Sequence, residues 1–177
     1  MNRQAFKTLI AVTGILLLVF SSATRADDEM HTDVLAAVAL FKEKDPDMSK
    51  FFNDASGYVV FPHVGKGGMG FGGAHGKGEV FKGRKVIGDA KITQFTIGFQ
   101  LGGQVFAEVI FFENETALTN FTKGKFEFSA QVSAIAAAAG VSADAKYEDG
   151  VAVFTMGLKG LMYEASVGGQ KFKYKAR

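Results

Sequence analysis

Gly65-Lys66-Gly67-Gly68-Met69-Gly70-Phe71-Gly72-Gly73-Ala74-His75-Gly76-Lys77-Gly78-Glu79-Val80-Phe81 decides how the rest of the chain is read. Taken as extended chain, Gly68, Gly70, Gly72, Ala74, Gly76, Gly78 and Val80 point to one side, opposite Met69, Phe71, Gly73, His75, Lys77, Glu79 and Phe81. A strand bare on one face loses about 0.5–1 kcal/mol per glycine in backbone entropy. Something must therefore lie directly on that backbone: a bend, a bulge, a packed aromatic or a ligand. A break near Ala74–Gly78 would turn the stretch into a hairpin. Gly65-Lys66-Gly67-Gly68-Met69-Gly70 matches G-x-G-x-x-G in letters, but a β-pattern follows where a dinucleotide site needs a helix. A phosphate loop fails too, because Gly76-Lys77 is followed by Gly78 and position 71 is phenylalanine.

Outward from the tract, the period of two continues. Tyr58-Val59-Val60-Phe61 is a short strand closed by Pro62, and Phe95, Ile97, Phe99 and Leu101 alternate with polar or small residues. Gly102-Gly103 signals a turn into Gln104–Phe112, so a hairpin of these two strands is expected. Strand patterns recur at Val151–Met156, Leu161–Val167 and Lys171–Lys175, and the alternation from Phe126 to Ala134 extends strand into an alanine-rich run. Helices are expected in three places. Asp33–Phe41 carries Val34, Leu35, Val38 and Phe41 on one side; Asp45-Pro46 opens a turn or two bearing Met48, Phe51 and Phe52; and Asn114 caps a helix burying Ala117, Leu118 and Phe121. The fold expected is mainly β (α+β): an antiparallel, barrel-like sheet of about seven or eight strands with two or three packed helices.

The N-terminus reads as an address. Arg3 and Lys7 precede the apolar run Thr8–Phe20, then come Ser21, Ser22, Ala23 and Thr24, and the acidic Asp27-Asp28-Glu29 follows Ala26. The run is too short for the roughly 20 residues of a membrane-spanning helix. Residues 1–26 are thus expected to be a signal peptide cleaved after Ala26, leaving a single domain over 27–177 in the bacterial periplasm. The net charge of +2 changes sign with it: the segment holds three of the 20 basic residues and no acid, which leaves 17 basic against 18 acidic residues. No global attraction to nucleic acid is expected.

The absence of cysteine excludes disulfides, thiolate metal sites, cysteine nucleophiles and N-terminal lipidation. His31, His63 and His75 show no metal-ligand spacing, the carboxylates form no acid/base pair, and no nucleophile elbow occurs. No enzyme, metal or cofactor is expected. Two local basic clusters remain: Lys82, Arg84 and Lys85, and the alternating Lys171, Lys173 and Lys175. A strand through Lys171–Lys175 shows three ammonium groups on one side, either as a solvated, charge-protected face or as a seat for phosphate head groups.

An ordered set of segments resembles the SYLF-domain family: Gly57-Tyr58-Val59-Val60-Phe61-Pro62, Gly65-Lys66-Gly67-Gly68, Gly76-Lys77-Gly78-Glu79-Val80, Ile97 to Gln104, Ile110-Phe111-Phe112, Ala117-Leu118 with Phe121, and Gly157 to Leu161. The resemblance covers about residues 33–175. It implies a β-rich, barrel-like domain with packed helices and a role in lipid binding, reported for phosphoinositides among eukaryotic relatives. It further implies that an N-terminal amphipathic helix and a basic surface make the contact, here Val34, Val38 and Phe41 with Lys82, Arg84 and Lys85. Actin, bound by some relatives, is not expected as the partner of an exported protein. The expected function is lipid binding or association with a membrane surface; the alternative is a periplasmic barrel carrying a small apolar ligand.

Overall fold

The computed structural model describes residues 25, 27–69, 71–97, 103–124, 134–159 and 169–177. The chain divides into two compact units, Met1–Asp33 and Val34–Arg177. Most of the first, including the expected signal segment, lies outside the described residues. Its described end, 27–33, is helical, and the Thr32 hydroxyl donates to the Asp28 carbonyl at 2.9 Å. Thr32 and Asp33, which the sequence offers as N-caps for the Asp33–Phe41 helix, therefore lie inside a helix instead.

The second unit opens on helix α1 (34–44) and helix α2 (Met48–Asp54). Among the described residues seven strands follow: β1 (Gly57–Met69), β2 (Phe71–Lys82), β3 (Lys85–Ile97), β4 (Gly103–Phe112), β5 (Ile135–Ala136), β6 (Val151–Lys159) and β7 (Gln170–Ala176). Helix α3 (Glu115–Thr122) lies between β4 and β5. The strands form one sheet in the order β5-β6-β4-β1-β2-β3-β7, antiparallel except for β5 beside β6.

Four expectations change. Pro62 does not close β1: the strand runs on to Met69 through a bulge, where the register shifts between Val60 and His63 and proline's missing N–H costs no ladder bond. The glycine tract breaks between Met69 and Phe71, not at Ala74–Gly78, so β1 and β2 pair along their whole glycine-rich length. β3 and β4 are not a hairpin; β4 pairs with β1 and β6, and β3 with β2 and β7. A local turn signal says where a chain reverses, not which strand it lands beside. Finally, the sheet is mixed and open, not a barrel. No ladder joins the β5–β6 rim to β7 among the described residues.

The sheet nevertheless curls around its inner face. β4 and β7 are four strand spacings apart, about 19 Å in a flat sheet, yet the Gln170 amide on β7 donates to the Glu108 carboxyl on β4 at 2.9 Å. Side chains bridge where a closing ladder would run. Phe121 of α3 meets Phe112 of β4 at 5.0 Å and Phe172 of β7 at 5.4 Å between ring centroids. The inner core comprises Val59, Phe61, Val64, Val80, Ile92, Ile110, Phe112, Leu118, Phe121 and Val153. α3 sits there as expected: the Asn114 side chain accepts from Ala117 N at 3.0 Å, and Ala117, Leu118 and Phe121 are buried.

Among the described residues, aromatic side chains cover the outer face over β1, β4 and β6 and reach Phe81 of β2. There Phe51 and Phe52 of α2 pack with Tyr58, Phe111 and Phe154 at centroid distances of 4.8–5.4 Å. Asp45 ties the α1–α2 junction to a 3-10 turn at Val141–Ala143, accepting from Ser142 N at 2.8 Å, Gly140 N at 3.3 Å and Asp47 N at 3.3 Å. Desolvation pushes this carboxyl's pKa up, but the three amides outweigh it and hold it below the ordinary value. The residue expected to cap α2 is instead a long-range clamp.

Of the remaining strand expectations, Val151–Met156 and Lys171–Lys175 fall within β6 and β7. Leu161–Val167 and most of the Phe126–Ala134 alternation lie outside the described residues. In the alanine-rich run, Ile135–Ala136 is strand.

Candidate functional site

The half of the outer face over β2, β3 and β7, where the described lysines are exposed, is the candidate site. Alternation sends Ala90, Ile92, Phe172 and Tyr174 inward to the core. Asp89, Lys91, Thr93, Lys171, Lys173 and Lys175 therefore point outward. Register then aligns cations across strands. His63 on β1 lies opposite Lys77 on β2, Lys77 opposite Lys91 on β3, and Lys91 opposite Lys173 on β7. Lys171 lies one step along, opposite Thr93, which faces His75. All of these residues are exposed.

Directly opposed side chains on one sheet face stand about 4.5–5.5 Å apart at Cβ, and like charges so placed are destabilising. The row would relax if acids were interleaved. The nearest acids, Glu79 and Asp89, are already engaged by Arg177, whose guanidinium lies 2.8 Å from Glu79 Oε1 and 2.6 Å from Asp89 Oδ1. Those hydrogen bonds and charges raise the Arg177 pKa further, with the Asp89 bond the leading cause. Among the described residues, Lys77, Lys91, Lys171 and Lys173 have no ion-pair partner. The face is thus cationic and spread over three strands on the outer, convex side of the curl.

The second basic cluster is divided. Lys82 Nζ lies 2.7 Å from Glu115 Oε1, with both side chains largely exposed, a pair worth little in itself. Lys85 is exposed beside it. Arg84 follows Gly83, which takes φ +59 in the β2–β3 turn, and it rims a cleft of about 380 Å³ with Lys42, Phe52, Asn53 and Tyr58. Lys42 Nζ stands 4.9 Å over the Phe52 ring. Tyr58 in turn stacks on Phe81 at 4.9 Å.

The apolar helix residues are placed otherwise. Val34 and Phe41 are fully buried and Val38 is half-buried, while Leu35, which belongs to the same expected stripe, is 52% exposed. The smooth glycine face is also occupied. A Cβ at Gly76 would touch Ile92 and Val64 at 3.0 Å, and one at Gly78 would meet Phe61 at 2.8 Å. At Gly76 and Gly78 the small residues make room for side chains of the protein itself. The side chains of 68–72 lie outside the described residues.

Sequence reasoning singled out Lys171, Lys173 and Lys175 but missed Lys77, Lys91 and Lys42. Lys77 sits in the glycine tract and Lys91 opens an apolar strand, so neither belongs to a visible charge run. Only the β2–β3–β7 register makes them neighbours. Among the described residues no cluster of three His, Asp or Glu side chains is placed to hold a metal. No helix among them is long and apolar enough to cross a membrane.

Comparison with known proteins adds two findings. Residues 93–176 match the model of the Ysc84 family, described as "Las17-binding protein actin regulator". The chain is also 30% identical over 139 residues to beta cell expansion factor A of Aeromonas veronii, a match covering 77% of this chain and 52% of that protein. The chain thus spans about half the length of this relative. The family match takes in β7 with its three lysines, whereas Lys77, Arg84 and Lys42 lie before it.

Proposed function

We propose, from the match of residues 93–176 to the Ysc84 (SYLF) family model, that the chain is an exported, non-catalytic protein of the bacterial envelope that docks on anionic lipid surfaces. The outer face of β2, β3 and β7 makes the contact, through Lys77, Lys91, Lys171, Lys173 and Lys175. Arg84, Lys85 and Lys42 extend the basic surface toward the α2 edge. The observation that carries this reading is the cross-strand row Lys77–Lys91–Lys173, three ammonium groups held opposite one another without acids between them. An array of phosphates relieves their mutual repulsion. Each lysine near an anionic leaflet contributes roughly 1 kcal/mol, so a five-lysine face suffices for reversible attachment.

The test is co-sedimentation with vesicles of phosphatidylglycerol and phosphatidylethanolamine, against vesicles of phosphatidylcholine alone. The wild-type chain is expected to pellet with the anionic vesicles only. The variant Lys77→Glu/Lys91→Glu/Lys173→Glu, which changes only exposed positions, is expected to stay in the supernatant. Equal recovery of the variant and the wild type would overturn this assignment of the face.

A further inference from the structure

Among the described residues the inner face is hydrocarbon apart from Glu108, Thr155, Gln170 and Gln94, the last directly opposite Gln170 in register. Glu108 of β4 and Thr155 of β6 are directly opposed in register and both fully buried. Gln170 of β7, 1% exposed, reaches the same place from across the curl and donates its Nε2 to Glu108 Oε2 at 2.9 Å. That bond uses one of the two Gln170 amide N–H groups and leaves its oxygen unpaired among the described residues. Glu108 Oε1, Thr155 Oγ1 and Gln170 Oε1 then have no hydrogen-bond partner among the described residues. Native interiors rarely leave even one buried polar atom so, and three around one carboxyl call for a physical reason.

The unsatisfied atoms are all oxygens, and one belongs to an ionisable acid. Such a donor set suits a hard cation. Ca²⁺ takes about six to eight oxygens, commonly from several carboxylates, and a lone carboxylate would leave it with surplus charge in a low-dielectric interior. A single positive charge balances Glu108. We propose that Glu108, Thr155 and Gln170 form an interior site for a small monocation, an alkali ion or ammonium, held by Glu108 Oε1, Thr155 Oγ1 and Gln170 Oε1.

A proton competes with the cation for this carboxyl. Burial pushes the Glu108 pKa up to about 7, while the Gln170 amide pulls it down. The groups facing it are uncharged: Thr155 from β6, Phe61 from β1 and Gln170 from β7. Nothing described supplies the counter-charge that an ionised Glu108 needs, and the monocation does. The site lies on the inner face, apart from the basic outer face, so it stands whether or not the chain binds lipid.

Thermal unfolding at pH 8 in sodium, potassium, ammonium and choline chlorides, all at equal ionic strength, tests the site. Choline is too bulky to enter and controls for screening of the basic outer face. At least one small cation is expected to raise the midpoint above that in choline by about 2–4 °C. The rise is expected to vanish in Glu108→Gln and to shrink in Thr155→Val. In the same active salt, the wild-type Glu108 carboxyl, followed by carbon NMR, is expected to titrate at lower pH than in choline. Identical midpoints and an identical Glu108 titration in all four salts would overturn the site, leaving only water among the three oxygens. The wild-type titration decides the matter even if Glu108→Gln fails to fold.

Discussion

Glu108 and Gly78 show how much one position can carry in this sheet. Folding raises the Glu108 pKa from 4.5 to about 7, so the folded chain binds a proton that the unfolded chain releases. The resulting stability is fully present below pH 4.5, declines as pH rises and is gone above about pH 7. The full swing is about 3 kcal/mol, at about 1.4 kcal/mol per pKa unit. Chemical denaturation in choline-salt buffer between pH 4.5 and 8 is expected to show this decline in the wild type, and Glu108→Gln to remove it. Gly78 is constrained by shape instead. A Cβ there runs into the Val60 carbonyl oxygen and meets Phe61 Cδ1 at 2.8 Å, so backbone and ring must both move. Gly78→Ala is expected to destabilise by about 1–3 kcal/mol, the range for overpacking a filled core, read as a lowered denaturation midpoint. Gly65, beside which nothing lies within 4 Å, should accept the same change with little loss.

Among the elements, α3 is the one whose sequence and structure agree most closely. Asn114 holds an extended conformation and accepts from Ala117 N, and Gly124 takes φ +67 just past the end. Asn114→Ala is expected to cost about 1 kcal/mol, measurable by denaturant unfolding. This helix was legible because its signals are local: a cap, a three/four-residue apolar spacing and a terminal glycine within eleven positions. The strands as elements were legible for the same reason. Their pairing was not, because the expected β3–β4 hairpin depended on which neighbour β1 would accept, a matter of packing over distances no turn motif encodes. The candidate site divides on that line too. The β7 lysines stand out in sequence, whereas Lys77 and Lys91 become part of the face only through register. Asp45 is the reverse case: its place before Pro46 suggests a cap, but its strongest bond reaches Ser142, 97 residues away.

At the scale of the molecule, charge is sorted by surface more than summed. The chain carries a formal +2, or −1 without its first 26 residues, and neither figure foretells a cationic face beside a filled aromatic one. Attachment through such a face should weaken steeply with salt. In the vesicle experiment, recovery of the wild type is therefore expected to fall as ionic strength rises from low to physiological values, where the screening length shortens to about 8 Å.

The strand order also bears on how the chain reaches its final form. β7 docks on β3 with Gly88 opposite Ala176, and α1–α2 lock onto the turn at Val141–Ala143 through Asp45. The sheet's last edge and the clamp on its helical cover both join residues about half the chain apart or more. Contacts of such sequence separation form late and slowly, because long loops must close before the contacts repay them. The earliest structure available is the β1–β2–β3 meander, whose ladders are local, while the rest waits for the far end of the chain. That ordering leaves the basic face incomplete until β7, at the far end of the chain, has docked on β3.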